Sequence, residues 1–164
     1  MTREDHVRGV YDASYRRLVV QLFALTGDLA DAEDAVQEAF VTALGKGRAF
    51  ADLDNPEAWL RTVAINHVRN RWRHTEVARR LRTKVPGPTP EGEVGAEHAA
   101  LVEALAKLDL PHRTAVVLHY LADRSIGDIS SELGVPEGTV KTRLARSREL
   151  LAPLLSEREE ADHV

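Results

Sequence analysis

Thr139, Thr142, Arg143 and Arg146 carry the side-chain types that read duplex DNA, and they fall within eight residues of one another. An Arg fork binds guanine or phosphate in bidentate fashion, and Thr donates to or accepts from either. At about 100° per residue the four cluster on one helical face, while Val140, Leu144, Ser147 and Leu151 share an adjacent face suited to packing. A second set lies earlier in the chain. Thr62, Asn66, Arg69 and Arg73 fall within about 60° of each other on a regular helix, opposite an apolar stripe of Leu60, Ala64, Val68 and Trp72. Asn can pair with a base edge and Arg with phosphate or guanine. Trp59 adjoins this basic surface, as a core residue or as a platform on which a base could stack. A third set is acidic. Asp31, Asp34 and Glu38, bordered by Gln37, form one polar face that repels DNA and suits a protein partner with basic residues.

These side chains require elements to position them. The stretch SIGDISSELGVPEGTVKTRLARSR, Ser125–Arg148, reads as a helix-turn-helix. Ser125 is an N-cap with Asp128 three residues on, an imperfect capping box. Gly134 is a left-handed C-cap, Val135 fills the turn, and Pro136 opens the second helix, where a missing N–H does no harm. Few ordinary helical hairpins need so many basic residues on one short helix.

Upstream, Val7, Val10, Leu18, Leu22 and Leu25 give helical spacing over residues 3–26. A second helix is expected from about Asp28 to Leu44, with Leu29, Ala32, Val36, Phe40 and Ala43 or Leu44 inward. Gly45-Lys46-Gly47 is expected to end it, and Arg48–Asn55 reads as a loop. Pro56 opens a third helix reaching about Leu81. The stretch VPGPTPEGEVG, residues 85–95, holds three prolines and three glycines and reads as a linker. Glu97–Leu108 and Pro111–Leu121 read as two helices before the helix-turn-helix, and Leu150–Glu160 extends the last helix or frays.

The expected fold is all-α: two small helical domains, 1–81 and 97–164, joined by a flexible Pro/Gly linker, 82–96. Composition agrees, since Ala, Leu, Arg and Glu dominate and aromatics are 5%. No apolar run approaches a membrane span, and MTREDHVRGV has no signal-peptide core, so a cytoplasmic protein is expected. The chain has no cysteine, which excludes disulfides and thiolate zinc sites within it. Its seven histidines are scattered, with no HExxH pair. There is no Gly-rich phosphate loop followed by Lys and no nucleophile–base context. No catalytic residue, metal or cofactor is expected. The net charge of −4 argues against nucleic-acid binding, but its distribution argues for it. Asp28–Glu38 holds five acids and no Lys or Arg, whereas Arg61–Lys84 holds eight Lys or Arg against Glu76 alone.

Taken together, these motifs resemble the extracytoplasmic-function sigma factors, the small two-domain branch of the sigma-70 class. TGDLADAEDAVQEAFVTAL resembles the family's polymerase-gripping segment, PEAWLRTVAINHVRNRWR its promoter-melting and −10-reading helix, and LPHRTAVVLHYLADRSIGDISSELGVPEGTVKTRLARSRELL its −35-reading domain. The resemblance implies that Asp31, Asp34, Gln37 and Glu38 dock on the coiled coil of the polymerase β′ clamp. It implies that the loop Arg48–Asn55 captures a flipped −10 base, with Asn66, Arg69 and Arg73 near that DNA; Trp59 joins the −10 candidates through its place beside the basic surface. Thr139, Thr142, Arg143 and Arg146 match the −35 readers. Core RNA polymerase (β′ clamp and β flap), promoter DNA and an anti-sigma factor are the implied partners, with no small-molecule substrate and no membrane insertion. Two positions depart from the pattern. Gly127 stands where a helix-favouring residue is usual, at a cost of ~1 kcal/mol relative to Ala, and Thr114 where Gln or Arg is common. The competing reading is an autonomous helix-turn-helix repressor or activator, which would normally dimerise on a palindrome, and no heptad dimerisation helix is evident. An adaptor without a DNA role fits the basic 61–84 stretch poorly.

Overall fold

In the computed structural model, the backbone is described for residues 2–81 and 96–162, and side chains for 2–73 and 99–154. Every regular element among them is helical. The chain divides into two compact units, 1–90 and 91–164. The Pro/Gly stretch expected as a linker lies outside the described residues.

In the first unit, α1 (Arg3–Thr26) and α2 (Leu29–Lys46) form a hairpin. Thr2 and Asp5 close a reciprocal capping box at the start of α1. Gly27, at φ 69°, ends α1, a left-handed conformation that glycine adopts without penalty. Asp28 then caps α2 through the Asp31 N–H at 3.0 Å. The inward face of α2 is nearly all small: Ala32, Ala35, Val36, Ala39 and Ala43 are fully buried. Small residues let the helices approach closely, and Leu18, Leu22 and Leu25 of α1 fill the space. Leu60, Ala64, Ile65, Val68 and Trp72 of α4 (Pro56–Leu81) complete the core.

Helix α2 runs through Gly45 and ends at Gly47, the last residue of the expected Gly45-Lys46-Gly47 break, whose φ of 58° is left-handed. Ala43, not Leu44, is the inward residue; Leu44 is exposed. The segment expected as a loop contains a short helix, α3 (Arg48–Ala51). It forms because Phe50 buries its ring completely, edge-on to Trp59 at 5.6 Å and His6 at 5.8 Å. One aromatic anchor is enough to wind the backbone around it.

The second unit comprises α5 (Ala96–Leu105), α6 (Leu110–Val116), α7 (Ile126–Leu133) and α8 (Glu137–Asp162). Helix α6 passes into a π-helical turn, Val117–Leu121, which the sequence does not announce. It closes with Ala122 N–H to Val117 C=O at 3.0 Å, then Asp123 at φ 53°. Asp is among the few residues that tolerate that region. Ser125 caps α7 through the Asp128 N–H at 3.1 Å, and Gly134 ends it at φ 67°. The Ser130 hydroxyl donates to Val135 C=O at 2.5 Å and pins the turn. Helix α8 starts at Glu137, with the Pro136 carbonyl accepting from Thr139 and Val140 N–H. Pro136 is therefore the residue before the helix rather than its first member. Val140, Leu144, Ser147 and Leu151 are buried together, the inward face expected from their spacing.

Candidate functional site

The outward face of α2 presents Asp34, Gln37 and Glu38 as exposed side chains, with Asp31 half-buried beside them. These acids are not left bare. Arg71 of α4 reaches across to Asp34 Oδ2 at 3.0 Å and Asp31 Oδ1 at 3.5 Å. His67 Nε2 lies 3.2 Å from the same Asp34 oxygen. Glu38 makes no ion pair among the described residues. Gln37 Nε2 approaches the Tyr15 hydroxyl at 3.5 Å, and Tyr15 stacks on Tyr11 at 4.5 Å.

Helix α4 sorts its polar residues between different surroundings. Asn66 and Arg73 are exposed, and Thr62 and Arg69 half-buried, all away from the Leu60–Trp72 stripe. Trp59 is half-buried against Phe50, so one edge of the ring is committed to the core. Asn55 Oδ1 caps the helix through the Ala58 N–H at 3.1 Å. Arg61, counted with the basic stretch, is buried and donates through Nε to Gln21 Oε1 at 2.7 Å. Arg61 and Arg71 therefore serve the interior and the α2 edge. Among described side chains of the stretch, Arg69 and Arg73 remain on the outward face. The helical wheel carried that signal: Arg61 falls about 20° from both Val68 and Trp72.

In the second unit Thr142 and Arg146 are exposed, and Thr139 and Arg143 half-buried, along the outer face of α8. The Thr142 hydroxyl donates to Gly138 C=O at 2.9 Å, leaving its lone pairs outward. Arg143 stands near Asp109, the N-cap of α6. Burial pushes the Asp109 carboxyl up, but the His112 backbone N–H, the His112 ring and Arg143 together hold it below its ordinary value. Arg113, another buried arginine, donates to the carbonyls of Leu105 at 3.0 Å and Leu108 at 2.8 Å, satisfying the end of α5.

An open groove of about 370 Å³ runs along α1, lined by Asp5, His6, Gly9, Ala13, Arg17 and Glu57 among others. Its polar groups are engaged structurally. Thr2 hydrogen bonds hold the Asp5 carboxyl below its ordinary value, Arg17 Nε pairs with Glu57 at 2.6 Å, and the Ser14 hydroxyl donates to Val10 C=O. Among the described residues no group of His, Asp and Glu is arranged to hold a metal, and no helix is long and apolar enough to cross a membrane.

Two sigma-70 family descriptions match the chain. Region 2 covers residues 10–77 and region 4 covers residues 98–151. The chain is 34% identical over 145 residues to the ECF RNA polymerase sigma factor SigL of Mycobacterium tuberculosis, covering 84% of this chain and 82% of that protein. It belongs to the ECF sigma factors of the sigma-70 family. A second relative, the RNA polymerase sigma-E factor of Streptomyces avermitilis, is 34% identical over 168 residues, covering 97% of this chain and 86% of its own. The fold is similar to the sigma factor RpoE in its co-crystal with the anti-sigma factor NepR from Bartonella quintana. That similarity has a TM-score of 0.73 at 25% identity and covers 93% of this chain and 96% of the other. Region 2 spans the α2 acids and the outward face of α4, and region 4 spans Thr139, Thr142, Arg143 and Arg146 of α8. An autonomous helix-turn-helix regulator would account for the second match alone.

Proposed function

We propose that this sigma factor directs core RNA polymerase to its promoters through three surfaces used in sequence. Asp31, Asp34, Gln37 and Glu38 dock on the coiled coil of the β′ clamp. Thr139, Thr142, Arg143 and Arg146 read the −35 duplex, with the second unit also contacting the β flap. Trp59, Asn66, Arg69 and Arg73, with the 48–55 segment, hold the unpaired −10 strand. Unstacking a base costs a few kcal/mol, which capture at this surface offsets and so favours the open strand. The factor works by binding energy alone, without a catalytic step, cofactor or small-molecule substrate. An anti-sigma factor is a fitting partner, since one occupies the related sigma factor in its co-crystal. The site of action is the cytoplasm, where polymerase and promoter lie.

The observation that carries this reading is the pairing of regions 2 and 4, in that order, on two separate compact units. A net charge of −4 opposes lone binding to DNA, so recognition belongs to the assembled holoenzyme. A gel shift with promoter DNA tests it. Specific retardation should require core polymerase; specific binding by the isolated chain would favour the autonomous regulator.

A further inference from the structure

We infer that Arg71 is an internal competitor for the docking face: it occupies Asp31 and Asp34 as a stand-in for the cation of the core polymerase. This deepens the docking role assigned to α2 and rests on it. The Arg71 guanidinium lies 3.0 Å from Asp34 and 3.5 Å from Asp31, and His67 adds a second contact to Asp34 at 3.2 Å. Half of the Arg71 and Asp34 side-chain surface faces solvent, so a basic partner approaching Asp34 also meets Arg71. It must either displace the guanidinium or dock beside a like charge. Glu38, one turn further on, is exposed and has no such competitor among the described residues. The two acids are therefore unequal. Glu38 is open to a partner cation, whereas Asp34 surrenders an existing pair for each one it makes.

The geometry of α4 separates this role from DNA contact. On the wheel Arg71 and His67 fall on the side of Leu60 and Ala64, about 160° and 120° from Arg73. Arg71 thus tunes docking without belonging to the −10 surface. Exposed ion pairs are weak, so the exchange is cheap and graded rather than all-or-none.

The test is binding of the full-length chain to core RNA polymerase by fluorescence anisotropy. Arg71→Gln should bind about two- to fivefold tighter than wild type, the range set by an exposed pair. The gain should shrink when Asp34→Asn is also present, since Asp31 alone then remains contested, and shrink as salt is raised. Asp34→Asn alone should lose less affinity than Glu38→Gln, a comparison that does not depend on Arg71→Gln folding. Unchanged or weaker binding by a well-folded Arg71→Gln overturns the inference. So does loss of helix content in that variant, because the pair is then a strut the unit needs. If Glu38→Gln costs nothing, the docking assignment itself falls, and the competitor role with it.

Discussion

Arg61 Nε donates to Gln21 Oε1 at 2.7 Å across the α1–α4 contact, with both side chains almost wholly buried. Removing the guanidinium strands a buried acceptor and opens a void among core residues. Arg61→Ala should therefore destabilise the first unit by about 2–3 kcal/mol, read as a lower urea midpoint. If Arg61 were a DNA-facing member of the basic stretch, the midpoint would not move.

Gly127 tests the opposite direction. It sits in the first turn of α7 with helical backbone, and an added Cβ would lie 3.3 Å from Glu137 Oε1. That oxygen is the end of a flexible side chain and can move aside. Gly127→Ala should raise the stability of the second unit by about 0.5–1 kcal/mol, measured by thermal melting. A fall would mean that the Glu137 carboxylate is held in place.

How far the sequence foretold these features depends on what each residue answers to. Caps answer to local chemistry, so Ser125 and Gly134 were readable one by one. Buried stripes answer to periodicity, so Val140–Leu144–Ser147–Leu151 and Leu60–Ala64–Val68–Trp72 were readable too. Helix α3 answers to Phe50 meeting Trp59 and His6 from two other helices, contacts absent from the local sequence. The π turn at Val117–Leu121 has no cue of cap or spacing in the local sequence. The charge run at 61–84 misled by its count, because composition cannot tell an arginine facing water from Arg61 facing Gln21. The acidic run misled similarly, since its counter-ion, Arg71, lies on another helix.

Asp109 gives the second unit a pH dependence at its acid edge. Its folded pKa is below the ordinary value, so its contribution is present above about pH 4 and is lost as pH falls through the folded value. The capping bond to the His112 N–H at 3.0 Å goes with the charge. Asp109→Asn should flatten the decline in stability below about pH 4. Asp109→Ala should cost about 1 kcal/mol at neutral pH, an ordinary N-cap loss. An unchanged acid limb in the Asn variant would remove Asp109 as its source.

Arg143 and Arg146 are predicted to read the −35 duplex from the outer face of α8. Either change to Ala should cost holoenzyme about 1–3 kcal/mol of promoter affinity if the side chain pairs with a base. That loss should depend on the −35 sequence. Arg113→Ala should differ, because its guanidinium is buried on the carbonyls of Leu105 and Leu108. It should lower stability, and DNA affinity only through unfolding. Equal losses on matched and scrambled −35 elements would reduce Arg143 and Arg146 to phosphate contacts.

Asn66 offers the cleanest separation of strand opening from folding. Asn55, just before the start of the same helix, is structural, with its Oδ1 on the Ala58 N–H at 3.1 Å. Asn66 lies exposed in mid-helix, away from the core stripe. Ala is the better helix former there, so Asn66→Ala should leave stability unchanged or raise it by a few tenths of a kcal/mol. Any functional loss then belongs to the amide. Holoenzyme carrying Asn66→Ala should bind the −35 duplex normally yet open the −10 region less, read as weaker permanganate reactivity of its thymines. Asn55→Ala should instead lower the melting temperature of the first unit before it touches strand opening. Equal permanganate reactivity in wild type and Asn66→Ala would remove Asn66 from the −10 surface and leave Arg69, Arg73 and Trp59 to hold the open strand.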